Sequence, residues 1–436
     1  MQKIFELVKN NRFAYIFLVI LNAFTWYPAL NYWFFRNWEQ SYLVGHCGSK
    51  FYFICMMKSH GLLYFINYKL FGWNAWGWYL TAIILFTISA LLVYKLTHEI
   101  TKNRTIAFIA GTLFSVNVAH NDVVLWGSFE GLYAILMISF LLGVLFYKRL
   151  KEDIRKKNWA KVVLWHFLIL VFYSLSLFIR ENAVVMPGLI LIYEWYTNKF
   201  RLSRNYIVSV IKIFMPMAFL TLGYLWLRQV YGGSPNDFID SMVRLRISLW
   251  RQGLWGEYVL RTFIYFGKFA GSHVVPYPFM NTVRQIVAGI FNPQLVNYWF
   301  FTIVGTVYVL FQVWVINYFK KHKRTFFLLC FSFLWFLLPT VFYSLVFSLP
   351  HNMIIDHYDV DTTRWRYFAF FGTVLFWTSV GWRLYEVYAR RKEPGKRTLE
   401  KIVALLVLSI VAINFILLRS IQKTRYEKIF KPAKDF

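Results

Sequence analysis

Apolar runs of about 20 residues return again and again along this chain, and no other feature restricts its fold so sharply. Inside a bilayer every backbone N–H and C=O must find a partner within the protein, and a helix satisfies them within a single segment. Such runs lie near 13–31, 78–96, 106–120, 124–147, 162–179, 183–196, 206–227, 297–319, 325–346, 367–388 and 401–418, which predicts about eleven spans. Composition agrees, because 58% of the residues are apolar and only 16% charged, against roughly 45–50% and 25% in soluble domains. With 11 prolines, 22 glycines and 3 cysteines, a disordered chain, a collagen and a disulfide scaffold are excluded. The predicted fold class is an all-α polytopic membrane protein whose extracytoplasmic loops carry short helices. The segment 259–275 is apolar yet holds Arg261, Lys268 and His273, so it is predicted to lie on the membrane surface or in the extracytoplasmic part of the fold.

The net charge of +28 would point to nucleic acid in a soluble chain. Here loop asymmetry explains it more simply, and no nucleic-acid partner is expected. Seven basic residues fall in 148–161, three in 199–204, four in 320–324 and six in 390–401. An eleven-span count puts all these loops on one side, which the positive-inside rule makes cytoplasmic. The other face then receives 32–77, 121–123, 180–182, 228–296, 347–366 and the tail 419–436, although that tail is basic. Three parts follow: an N-terminal transmembrane module over 1–230, an extracytoplasmic loop with interfacial helices over 231–296, and a C-terminal transmembrane module with a short tail over 297–436. The first apolar run follows a basic start but no small-residue cleavage site, so it is read as an anchor. Cys47 and Cys55 share the first outer loop and could pair in an oxidising compartment, but Cys330 sits inside a span and the total is odd, so free thiols are the favoured reading.

On this topology the ionisable residues gather at one face. Glu39, Asp122, Glu130, Arg180, Glu181, Asp356, Asp359, Asp361, Arg364 and Arg366 all lie at or near the outer ends of spans. Ionisable groups at membrane depth are costly and point by default to a functional site. Arg180-Glu181 is the clearest case, since it interrupts an apolar run with only a three-residue turn around it. No glycine-rich phosphate loop and no His or Cys metal spacing occurs. A carboxylate on the first outer loop suits a general base, and arginines at a span end suit a phosphate at headgroup depth, since the guanidinium fork binds phosphate bidentately. Together they would serve attack by a hydroxyl on a sugar whose leaving group is a lipid-linked phosphate. Headgroup binding or snorkelling is the plainer account of each arginine.

These residues resemble the motifs of the polytopic glycosyltransferases of the GT-C fold, which use polyprenyl-phosphate sugars. The nearest likeness is to the membrane part of the protein O-mannosyltransferase and tetratricopeptide-containing mannosyltransferase group. The acidic pair after that family's first span resembles Trp38-Glu39-Gln40, with one carboxylate missing. Its glycine-bounded entry to the second span resembles Gly72-Trp73-Asn74-Ala75-Trp76-Gly77. Its F-x-x-x-P-x-H-x-E-x-V run resembles Phe114 through Val124, with His120 and Asp122 in place and the proline absent. Its S-K-E-x-A-x-x-x-P resembles Ile179 through Pro187, and its late E-R-Y resembles Arg364-Trp365-Arg366-Tyr367. The likeness covers most of 13–200 and 325–390.

The resemblance implies an inverting, hexosyltransferase-like or mannosyltransferase-like enzyme on the extracytoplasmic face. Its co-substrate would be a polyprenyl-phosphate-linked sugar and its acceptor a protein or glycan. Glu39 is the favoured base and Asp122 a second acidic site. Arg180, Arg364, Arg366 and Tyr367 would hold the donor phosphate, and His120, Glu130 and Glu181 the sugar or acceptor. No metal is assigned, although Glu39, Asp122 and Glu130 could hold a hard divalent ion through oxygen. Two other classes compete. An O-antigen-type polymerase or ligase would rest on Arg244, Arg246 and Arg251 of the 228–296 loop. A lipid or glycan transporter would place its charges near the midplane of repeated halves, whereas no repeat is found here.

Overall fold

The computed structural model describes residues 10–32, 61–125, 131–179, 181–202, 204–231, 246–273, 277–346, 363–389, 393–427 and 431. Among them every regular element is helical. In chain order the helices are α1 (Asn11–Trp26), α2 (Gly61–Phe71), α3 (Ala75–Thr101), α4 (Arg104–Val116), α5 (Asn121–Leu125), α6 (Gly131–Arg155), α7 (Trp159–Ile179) and α8 (Val185–Thr197). They continue with α9 (Arg204–Tyr231), α10 (Trp255–Gly271), α11 (Tyr277–Ile290), α12 (Pro293–Tyr318), α13 (Lys323–Val346), α14 (Thr363–Ala389) and α15 (Glu393–Arg425). A short helical segment at 246–251 precedes α10.

Among the described residues eight stretches are long and apolar enough to cross a membrane: Asn11–Asn31, Ala75–Thr101, Leu132–Arg155, Trp159–Ile179, Tyr206–Leu227, Pro293–Lys321, Lys323–Leu345 and Leu405–Arg425. The chain is an integral membrane protein. Three of the sequence-predicted spans fall outside these eight. The runs 106–120 and 183–196 form α4 and α8, of 13 residues each. At about 1.5 Å per residue each reaches only about 20 Å, short of a hydrocarbon core about 30 Å thick. The run 367–388 forms α14, which is long enough at 27 residues but interleaves Tyr, Trp, Thr, Ser and Gly with its apolar side chains.

Asparagine starts four of these helices. Asn10, Asn74, Asn103 and Asn292 each accept backbone N–H bonds of the first turn through the side chain, which covers donors that have no partner inside the helix. Within the spans serine and threonine return their hydroxyls to the carbonyl four residues back, as Thr87 does to Ile83 (2.7 Å) and Ser332 to Leu328 (2.8 Å). Such bonds satisfy hydroxyls that lipid could not.

The chain divides into two compact units. The first holds residues 1–117, 121–232 and 377–436. In it α1 packs on α3 and α4 through Ala14, Leu18, Tyr94 and Ala107, all essentially unexposed. Polar bonds stitch the same contact: Asn22 donates to Leu18 O (2.7 Å) and to Ser115 Oγ (3.0 Å), and the Trp26 indole donates to Ser115 O (3.3 Å). At their other ends α3 and α6 are joined by Glu99, which faces Lys95, Lys102, Lys148 and Arg149. Buried Glu194 of α8 similarly accepts from the Tyr147 hydroxyl (2.8 Å) and from Lys151 (2.6 Å) of α6. Two of the loop cations that set the orientation argument, Lys148 and Lys151, are thus also inter-helix clasps.

The second unit holds residues 118–120 and 233–376. Here glycine decides the packing. A Cβ on Gly267 would lie 2.5 Å from the Thr302 Cα, one on Gly271 would lie 2.6 Å from Phe301 O, and one on Gly305 would collide with the Gly267 carbonyl. Backbones of α10 and α12 therefore touch along a small-xxx-small stripe, Gly267-x-x-x-Gly271. Gly372 does the same for α14 against α13, where a Cβ would lie 2.5 Å from Ser332 O. Of the segment 259–275, the second half of α10 packs into the fold, where Ile264, Tyr265 and Gly267 through Gly271 are buried. Lys268 goes in with them, and burial, followed by the nearby Arg284, pushes its amine down to about 7.

Candidate functional site

The structure brings two of the motif residues into contact. Asn117 ends α4 in an extended conformation, and the next three residues make a single 3-10 turn, Val118–His120. That turn buries the His120 imidazole completely. Against it come Tyr367 and Phe370, one helical turn apart on the same face of α14. Both rings meet His120 edge to face, with centroids at 4.9 Å and 4.8 Å and interplanar angles of 88° and 87°. This is the geometry that the quadrupoles of aromatic rings prefer.

A second histidine, from the segment 259–275, joins the cluster. His273 follows α10 and stacks on the same Phe370 at 5.8 Å and 21°. Its Nδ1 lies 3.1 Å from the Thr373 hydroxyl, and Phe336 of α13 meets its ring edge to face at 5.1 Å. Tyr367, Phe370 and Thr373 therefore present to two imidazoles the face that the i, i+3, i+6 spacing creates. Nothing in the local sequence marks His273; only the packing of α10, α13 and α14 brings it to the Phe370 ring that also meets His120. The cluster offers imidazole nitrogens and a phenol within an aromatic shell, groups able to take, give or relay protons.

The other predicted site residues are placed less fully. Glu39, Glu130 and Arg180 lie outside the described residues. Backbones are described for Asp122, the second residue of α5, for Glu181, the first residue of the 3-10 turn Glu181–Val184, and for Arg364 and Arg366, in the first turn of α14. The side chains of these four lie outside the described residues. Among the described residues no three His, Cys, Asp or Glu side chains gather as a metal site.

Arg246, one of the residues on which the polymerase reading rests, is engaged elsewhere. Only 4% exposed, it donates to Tyr258 O (2.9 Å), Thr262 Oγ1 (3.1 Å) and Ser344 O (3.0 Å), and lies 4.8 Å from the centre of the Tyr258 ring. It clamps the 246–251 segment to α10 and α13. Arg244 lies outside the described residues, and Arg251 is exposed. No protein-family model matches the chain, and no curated protein matches it.

Proposed function

We propose that the chain is an integral-membrane glycosyltransferase that moves a sugar from a polyprenyl-phosphate-linked donor to a protein or glycan acceptor on the extracytoplasmic face. The observation that carries the reading is the contact between His120 and Tyr367. These residues belong to two of the motif stretches that carry the GT-C likeness, Phe114 through Val124 and Arg364 through Tyr367. A shared site requires such distant stretches to meet, and in the second unit they do.

In this reading the acceptor hydroxyl oxygen attacks the anomeric carbon while the bond from that carbon to the phosphate oxygen breaks. The electron pair leaves on the phosphate, the configuration inverts, and Glu39 takes the hydroxyl proton. Arg180, Arg364 and Arg366 stabilise the departing phosphate as its charge grows, and Tyr367 lines that site. Asp122 is a second acidic group, while His120, Glu130 and Glu181 hold sugar or acceptor hydroxyls. The test is transfer of label from polyprenyl-phosphate-linked hexoses in membranes containing the protein. Wild type should move the label, and Glu39→Gln, which keeps the shape but removes the proton acceptor, should turn over roughly 10²–10⁴-fold more slowly. Near-normal turnover in Glu39→Gln with loss in Asp122→Asn would move the base to Asp122. Absence of transfer from every donor would overturn the reading.

A further inference from the structure

A cavity of about 620 Å³ opens in the first unit, where α1 and α15 end and α3 begins. It is unrelated to the His120 cluster, and the argument for it does not rest on the glycosyltransferase reading. Two cations line it, Arg419 and Lys423, and the described lining contains no carboxylate. The last apolar run, read from the sequence as ending at 418, continues as helix to Arg425, so both cations stand on α15 instead of in a loose basic tail.

Arg419 is held in a fixed orientation. Its Nη1 donates to Gln422 Oε1 (2.9 Å) and its Nη2 to the Phe24 carbonyl (2.6 Å). Its guanidinium carbon sits 5.5, 4.9 and 4.7 Å from the ring centres of Phe24, Tyr27 and Phe415. Those two bonds use two of the five N–H groups that a guanidinium carries. Among the described residues no carboxylate pairs with it. Lys423, one turn on, has a side chain 77% exposed and, among the described residues, reaches the exposed Glu427 at 4.0 Å. The Thr25 carbonyl at the end of α1 is covered by the Gln422 amide (3.2 Å), and the positive end of the 27-residue α3 enters the cavity at Ala75 and Trp76. The field in the cavity is therefore set for an anion.

The apolar surroundings say what carries that anion. Directly beside Arg419, Phe24 and Phe415 stack at 5.3 Å and 2°. Exposed Ile20 and Phe24 continue down α1, and exposed Ile413 and Ile416 down α15. Above them Tyr32 stacks on Tyr426 at 6.0 Å, and Trp76 is 47% exposed, as amphipathic rings are at a membrane interface. Cations at the helix ends with an apolar track below match a phosphate headgroup on a hydrocarbon chain. We infer that this cavity is a binding site for the phosphate of an anionic lipid, clamped by Arg419 and Lys423.

The test is a thermal unfolding titration of the full chain in neutral detergent with three probes: dioctanoyl phosphatidic acid, dioctanoyl phosphatidylcholine and inorganic phosphate. Phosphatidic acid should raise the wild-type midpoint in a saturable way, and the other two should not. Lys423→Glu changes an exposed side chain, so it should melt like wild type without lipid and need at least about tenfold more phosphatidic acid for the same shift. Arg419→Lys keeps the charge but not the fork and should also weaken the response. An identical response in wild type and Lys423→Glu would overturn the site. An equal shift from inorganic phosphate would overturn its assignment to a lipid.

Discussion

Arg364 and Arg366 stand in the first turn of α14, directly before a tyrosine that is fully buried against His120. An arginine at such a position either anchors to phospholipid headgroups or grips one phosphate bidentately, and lysine separates the two roles. A headgroup anchor works nearly as well with an ammonium, whereas a bidentate clamp does not. Arg366→Lys should lower kcat/KM for the lipid-linked donor by roughly 10–100-fold, the loss expected for a charge-assisted bond of about 1.5–3 kcal/mol, with Arg364→Lys less sensitive. Steady-state transfer measured across donor concentrations checks it. Full activity in the Arg364→Lys, Arg366→Lys double variant would show that the pair does not grip the donor. At this scale the sequence singled out His120 and Tyr367, each in a motif-like local pattern, and their rings meet in the structure. The sequence was silent on His273, Glu99, Glu194 and Arg419, whose neighbours in sequence say nothing of their partners in space.

Between elements, the contact of α10 with α12 depends on hydrogen atoms where side chains would otherwise stand. Gly305→Ala would drive a methyl into the Gly267 carbonyl, and neither backbone can yield without parting the helices. The cost should be about 1–3 kcal/mol, read as a lower unfolding midpoint in detergent. Gly223→Ala on α9 is the matching control, since a Cβ there meets nothing within 4 Å. It should hold or raise the midpoint, because alanine favours a helix interior by roughly 0.5–1 kcal/mol over glycine. Equal midpoints in the two variants would mean that the α10–α12 packing is not the close contact described. The apolar runs located most of the long helices, though not α2 or α11, and the run 124–147 became a helix at Gly131–Arg155. Exact helix lengths did not follow from the runs, since a hydropathy run registers side chains and not the asparagine caps and backbone bonds at which helices begin. Hence α4 and α8 are too short to span although their surroundings are apolar, and α15 outlasts its apolar run to include Arg419 and Lys423.

For the molecule as a whole, the proposed chemistry depends on which face the loops occupy. With Cys47, Cys55 and Cys330 first replaced by serine, Asn236→Cys should react with an impermeant maleimide added to intact cells, and Arg155→Cys only after permeabilisation. The reverse pattern would transfer the proposed site to the cytoplasmic face and remove the extracytoplasmic donor from the reading. That the protein is helical and lives in a membrane was determined by the sequence alone, because both follow from local quantities: runs of apolar side chains and a backbone that lipid cannot hydrate. What only the tertiary structure decided is which residues meet. A helical period places Tyr367, Phe370 and Thr373 on one face but does not name His120 and His273 as the rings opposite. Likewise the charge of Arg419 is plain in the sequence, while its use is set by the end of α1, the start of α3 and the last turns of α15, brought together by packing across nearly the full length of the chain.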